Sequence, residues 1–201
     1  MRIATRRVSE IGAVLLLAVA IPSVALSQAR HVRWDIVSLE FTAPPTANAG
    51  GFADAIATNN GGKIRLTGFG TFVAPAGRGG RSSAATGGGT WETFDSANVP
   101  TGSGTYVVRQ LVRWELANFQ TPGSLIDNIG DQAEAANGYS YLRIEFDDGS
   151  QGVLGVFCHG PGAPAGIAEG INVTKGFKTY VEVQGPAPGV DANRTLFHVM
   201  K

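Results

Sequence analysis

The chain is poor in the residues that usually carry covalent, metal or redox chemistry. Its 201 residues include one cysteine, three histidines and two methionines. With Cys158 alone, no intramolecular disulfide can form. The thiol follows Val153, Leu154, Val156 and Phe157 and reads as a buried, inert side chain, since reactive thiols need an electropositive and partly open site. The neighbouring His159 makes no Cys–His pair, because strand alternation points the two side chains to opposite faces. His31, His159 and His198 are isolated, so neither a metal nor a cofactor is expected. His198, between Phe197 and Val199, reads as an outward strand residue. Charge is also scarce, at 16% of residues, and balanced at 16 basic and 16 acidic. With no long Lys/Arg stripe, nucleic acid and anionic membrane surfaces are poor partners. There is no Gly-x-Ser-x-Gly elbow, phosphate loop, dinucleotide fingerprint or His-Glu-x-x-His.

The longest apolar run sits at the N-terminus. Arg2, Arg6 and Arg7 precede Gly12–Ala20, Pro22 ends the run, and small residues follow through Ala29. That order of charge, apolar stretch and small residues predicts a secretory signal peptide over residues 1–29, cleaved after Ala29 or alternatively after Ser27. The apolar run falls short of the ~20 residues that cross a bilayer, so stable membrane insertion is not expected. Thr5-Arg6-Arg7 touches on a twin-arginine signal, but Val8, Ser9 and Glu10 fit that pattern poorly. Cleavage leaves 13 basic and 15 acidic residues, a formal charge of −2. The expected destination is the periplasm or the outside of the cell, for one domain over residues 30–201.

Beyond the signal, apolar residues alternate at period two and are β-branched or aromatic. Strands are predicted over Arg33–Phe41, Lys63–Val73, Gly88–Phe94, Thr105–Ala117, Tyr139–Phe146, Gln151–Cys158, Ile167–Val173, Phe177–Val183 and Arg194–Val199. Clusters of Gly, Pro, Asn, Asp and Ser separate them, and Asp147-Asp148-Gly149-Ser150 is the clearest hairpin. Helix is expected only over Gly130–Ala136, for one or two turns. Long loops are expected over Pro44–Gly62, Ala74–Gly87 and Asn118–Gly138.

One frame, Gly-x-Gly-Thr-aromatic, recurs three times: Gly68–Phe72, Gly87–Trp91 and Gly102–Tyr106. Alternation puts its glycines and ring on one face and its threonine on the other. In each strand the glycine–aromatic face is the apolar one, hence the core face. Inward glycines under neighbouring rings favour a sheet that curls. The fold class read from this is all-β: a single antiparallel domain forming a closed or nearly closed barrel, with a two-sheet sandwich as the alternative. The same face suggests Trp91, Tyr106 and Trp114 as the lining of a ligand pocket, with Gln110 as its one polar group. Glu145, Asp147 and Asp148 form an acidic corner that reads as solvated beside its Gly-Ser turn. No catalytic residue is assigned.

The segments Val156–Pro164, Glu169-Gly170-Ile171 and Asn193–His198, with Gly89-Thr90-Trp91 earlier, resemble uncharacterised bacterial exported proteins. The resemblance spans roughly two-thirds of the mature chain and implies an exported β-domain without implying an activity. The function expected is a non-enzymatic module that binds a small apolar ligand or a partner. The alternatives are a small-barrel enzyme similar in outline to dirigent and allene oxide cyclase barrels, and a structural or surface-assembly subunit.

Overall fold

A computed structural model of the chain describes residues 29–75 and 80–200. Residues 1–28 of the expected signal peptide lie outside the described residues, as does Arg78 of the expected loop Ala74–Gly87. The strands are β1 (Arg30–Glu40), β2 (Thr46–Ala49), β3 (Ala53–Ile56), β4 (Lys63–Leu66), β5 (Phe69–Ala74), β6 (Ala85–Phe94) and β7 (Pro100–Phe119). There follow β8 (Ile126–Asp127), β9 (Ala135–Phe146), β10 (Gln151–Cys158), β11 (Gly170–Lys175), β12 (Lys178–Tyr180), β13 (Glu182–Val183) and β14 (Arg194–Met200).

Six of these strands close on themselves. β1 pairs with β5, β5 with β6, β6 with β7, β7 with β9, β9 with β14 and β14 with β1, all antiparallel. The seam is short: Phe197 lies opposite Ala136 and His198 opposite Ala135. Pairing therefore returns to its starting strand, and the sandwich alternative does not form. Outer strands continue from the barrel, β10–β11–β12 from the far half of β9 and β4–β3–β13 from the far half of β6. β2 lies on β1, and β8 runs parallel to β2.

The glycine frames supply the curl. Gly70 stands opposite Gly87 across β5 and β6, and a Cβ at Gly70 would lie 2.1 Å from the Thr86 carbonyl oxygen. Backbone meets backbone there at a distance that no side chain permits. Rings cover neighbouring glycines as well: Trp34 over Gly70, the Tyr106 hydroxyl over Gly68 and Trp91 over Gly102. Phe72 is an exception, packing on Trp114 with ring centroids 5.5 Å apart. Two of the frame threonines face outward and bond the threonine that precedes a neighbouring frame, Thr71 to Thr86 at 3.0 Å and Thr90 to Thr67 at 2.7 Å. Inside, Trp34, Phe72, Phe146 and Phe197 are fully buried with Leu111, Leu142 and Ile144. Each such ring removes ~150–250 Å² from water, which at ~25 cal/mol per Å² stabilises by several kcal/mol before chain entropy is counted.

Several expectations change. The long strand β7 carries irregularities between Val108 and Gln110 and between Leu111 and Arg113. Each inserts one residue and flips the alternation. Leu111, fully buried, takes the inward place that unbroken alternation gives to Gln110, and Gln110 is left half-buried opposite Arg143. The second irregularity restores the register, so Trp114 again faces the core. Within the expected helix Gly130–Ala136, Gln132–Glu134 forms one 3-10 turn whose N-cap is Asp131. β2 and β3 run through the expected loop Pro44–Gly62, where Ala47, Ala53 and Ala55 are buried. His198 does not face out. It is 2% exposed, with its Nε2 2.6 Å from Asp127 Oδ2.

Candidate functional site

The aromatic residues proposed from sequence as a pocket lining pack in separate ring clusters, and none of them lines either of the two clefts described below. Trp91 and Tyr106 share Phe146, edge-on at 5.9 Å and tilted at 6.2 Å respectively. The Trp91 Nε1 donates to Asp147 Oδ1 at 3.0 Å, and the Lys175 ammonium sits 4.2 Å above its ring. The Tyr106 hydroxyl donates to the Thr67 carbonyl at 2.8 Å, and burial pushes its pKa up. Trp114 belongs to a different cluster, between Phe72 and Phe197, the latter at 4.6 Å. The acidic corner is bonded rather than free: Asp147 accepts from Thr105 N and Trp91, and Asp148 pairs with Lys175. The Lys175 hydrogen bond holds the Asp148 carboxyl down at about 2.

Open space lies elsewhere. A cleft of about 450 Å³ opens where Val37 on β1 faces Arg194 on β14, within the range of small-molecule sites. Its walls combine Val37, Leu39, Ala47, Leu125 and Leu196 with the polar Gln120, His159, Glu169, Arg194 and Thr195. None of Trp91, Tyr106, Gln110 and Trp114 lines it. A smaller cleft of about 320 Å³, beside Thr67, Gly68 and Phe69, contains Asp35. Both Asp35 oxygens are already held by Arg33 at 2.8 Å.

Four chain segments distant in sequence build the larger cleft, and a polar network ties them together. Gln120 follows β7 and is tied by its N–H to the Ala135 carbonyl at 2.9 Å. Asn137 on β9 accepts from Gly160 N at 2.8 Å and donates to Asn118 at 3.0 Å. Glu169 fixes the segment between β10 and β11. One of its oxygens accepts from His159 N, and the other accepts from Thr195 N at 2.6 Å. The Thr195 hydroxyl donates to the Phe157 carbonyl at 2.6 Å and stands 3.3 Å from the same Glu169 oxygen. Burial pushes the Glu169 carboxyl up to about 7 against the pull of the two backbone donors and Arg194. The His159 Nδ1 lies 2.7 Å from the Ile167 carbonyl, so Nδ1 carries the proton and Nε2 keeps a free lone pair.

Cys158 is buried, its Sγ 3.3 Å from the Thr195 carbonyl and 3.5 Å from Gln120 Nε2. Burial drives its pKa up, so it stays a thiol. The thiol donates to Thr195 and accepts from Gln120, which leaves Gln120 Oε1 without a partner. Gln120 is 7% exposed, and a buried polar atom without a hydrogen bond is rare enough to need a reason. Arg194 Nε is also buried and unpartnered. Two of the cleft's polar residues are therefore unsatisfied, one acceptor and one donor.

Sequence reasoning reached neither Gln120, Arg194 nor Glu169 as site residues. The available signal was Gly160. A Cβ there would lie 2.3 Å from Gln120 Nε2, so glycine is what lets the amide lie against the chain. Among the described residues no group of three or more His, Cys, Asp or Glu side chains is placed to hold a metal ion. No described helix is long and apolar enough to cross a membrane. Compared with known proteins, the chain matches no family model, no curated protein and no solved structure.

Proposed function

We propose that the chain is an exported β-barrel that binds one small, mainly apolar molecule in the cleft between β1, β14 and the loops after β7 and β10. The observation that carries this is the cleft itself: about 450 Å³, walled by Val37, Leu39, Ala47, Leu125 and Leu196 with a few polar groups, Gln120, His159, Glu169, Arg194 and Thr195, beside them. A bound molecule covers that apolar wall, and the polar groups fix its orientation. Ring packing supports the same location, since Trp91 and Tyr106 lie against Phe146 and Trp114 lies between Phe72 and Phe197.

Native mass spectrometry on protein purified from its own source tests this, alongside uptake of the neutral apolar dye N-phenyl-1-naphthylamine. A retained mass or dye uptake that disappears in Ala163→Trp, which fills the cleft from its loop side, is the expected result. A folded wild-type chain with no retained mass and no dye uptake overturns the reading.

A second reading, a small-barrel enzyme similar in outline to dirigent or allene oxide cyclase barrels, draws support from Glu169, pushed up to about 7, and from the free Nε2 of His159. A carboxyl near neutrality can take and return a proton. Glu169, however, is engaged by two backbone N–H groups, which suits a structural clamp better than a mobile proton carrier.

A further inference from the structure

The hairpin between β11 and β12 carries a side chain that its own fold does not use. Lys175 lies opposite Lys178, so Gly176 and Phe177 alone form the turn. Gly176 takes a φ of 57°, as the first position of such a turn demands. Turns are ordinarily filled by Gly, Pro, Asn, Asp and Ser. Here the second position holds Phe177, fully exposed and the barest large apolar side chain among the described residues. The turn is braced. The Gly176 N–H donates to the Gln151 carbonyl at 2.9 Å, and Lys175 reaches Asp148 and Ser150. A ring held out on a braced turn loses little freedom when it docks.

The cleft and Phe177 stand at the two ends of β11. Glu169, in the cleft wall, immediately precedes that strand, and Phe177 follows it after Gly176. The six residues of β11 span about 20 Å, which keeps Phe177 out of its own chain's cleft. Resting on the cleft reading above, we infer that the cleft of one copy takes Phe177 of a second copy. A small apolar ligand and association of the chain then exclude each other. The cleft, at about 450 Å³, has room for the ring, and Val37, Leu39, Leu125 and Leu196 give it an apolar wall. Charge is complementary as well. Exposed Glu40 follows Leu39, and exposed Asp191 accepts from the Leu39 N–H at 2.6 Å, two carboxylates against the one guanidinium of Arg194 in the wall. Beside the ring, Lys175 is matched by Asp148, and Lys178 adds a positive charge. Opposite charges around an apolar centre set the orientation of a contact. The contact joins two different surfaces of the chain, so copies add head to tail.

Sedimentation velocity from dilute to concentrated protein tests this, with two variants that each spoil one half of the contact. Phe177→Asp removes the ring and keeps the cleft, and full exposure of the site leaves the fold unaffected. Ala163→Trp fills the cleft and keeps the ring. The expected result is concentration-dependent association in wild type, weakened at least about tenfold in either variant alone, as loss of one buried aromatic side chain implies. Mixing the two variants restores association and stops it at pairs, because one supplies the cleft and the other the ring. Uptake of N-phenyl-1-naphthylamine per chain is expected to fall as wild-type protein is concentrated and to hold steady in Phe177→Asp. Wild-type protein that stays monomeric but takes up dye overturns the inference and leaves the cleft reading standing. Association that survives Phe177→Asp or a folded Ala163→Trp also overturns it. Neither association nor dye uptake overturns both readings. Where Ala163→Trp does not fold, Phe177→Asp and the dye competition decide the matter.

Discussion

Glycine does different work on two walls of this barrel. Along β5, β6 and β7 it lets backbone approach backbone: a Cβ at Gly89 would lie 2.0 Å from the Thr67 carbonyl oxygen, and one at Gly87 would lie 2.3 Å from that of Phe69. At the cleft, Gly160 instead makes room for a side chain, the Gln120 amide. The first wall has its threonines paired across the outside and its rings stacked within. The second carries Gln120 and Arg194 with unsatisfied atoms and a carboxyl raised by burial. A glycine against backbone lets strands close on each other, whereas a glycine against a polar side chain gives that side chain room to lie along the chain.

The contrast can be broken first at Gly89. Replacing Gly89 with Val pushes a side chain into the Thr67 carbonyl with no flexible neighbour to yield, and a loss of at least about 4 kcal/mol is expected. The measurement is the yield of soluble, cooperatively melting protein, and wild-type melting would refute the backbone-contact account of the frame. Trp114→Ala comes next. It opens a void between Phe72 and Phe197, with an expected cost of ~3–5 kcal/mol by denaturant unfolding and little change in dye binding, since Trp114 does not line the cleft.

Glu169 sharpens the comparison through pH. Its folded carboxyl is raised from 4.5 to about 7, so between those values the native state holds more proton than the unfolded chain. Stability from this group is therefore complete below about pH 4.5 and falls as pH rises, by up to about 3 kcal/mol, until it levels off above pH 7. Asp127 acts in a separate window. Burial opposes ionisation there, but His198 and the Ile129 and Gly130 N–H groups hold its carboxyl below 3.8. Its contribution is lost only as pH falls below that value. Unfolding free energy measured from pH 4 to 8 should show the Glu169 slope in wild type, and Glu169→Gln should flatten it. The smallest effect is expected at Gly160→Ala: about 1–2 kcal/mol from the displaced Gln120 amide, with dye binding weakened more than stability.

Much of the barrel was legible because its strands alternate bulky side chains. β10 was read to the residue, and β1, β6, β9 and β14 within a few residues of their ends. The strands missed were those with little to read. β2 and β3 present Thr, Ala, Asn, Asp and Ile, and small residues become buried only because neighbouring strands come close. Gln110 was misplaced because nothing in a local sequence announces an inserted residue. Leu111 and Gln110 exchange roles only once β9 fixes the register across from them. His198 was turned outward by its strand neighbours, and its true partner is Asp127, 71 positions away. The cleft was illegible for the same reason, since Gln120, Glu169 and Arg194 come from separate segments and acquire their meaning from one another.

Period-two alternation and the thrice-repeated glycine frame by themselves determined that this chain is an antiparallel β-domain that curls, because strand geometry assigns side chains to faces without reference to the rest of the fold. The frame did not determine what its rings do. Only the tertiary structure decided that Trp91, Tyr106 and Trp114 pack against Phe146, Phe72 and Phe197, and that a cleft lies at the end of the β1–β14 pairing. The physical reason is range. Alternation is fixed by adjacent peptide units, whereas satisfaction of a buried polar atom depends on whichever distant segment the closed sheet brings to it.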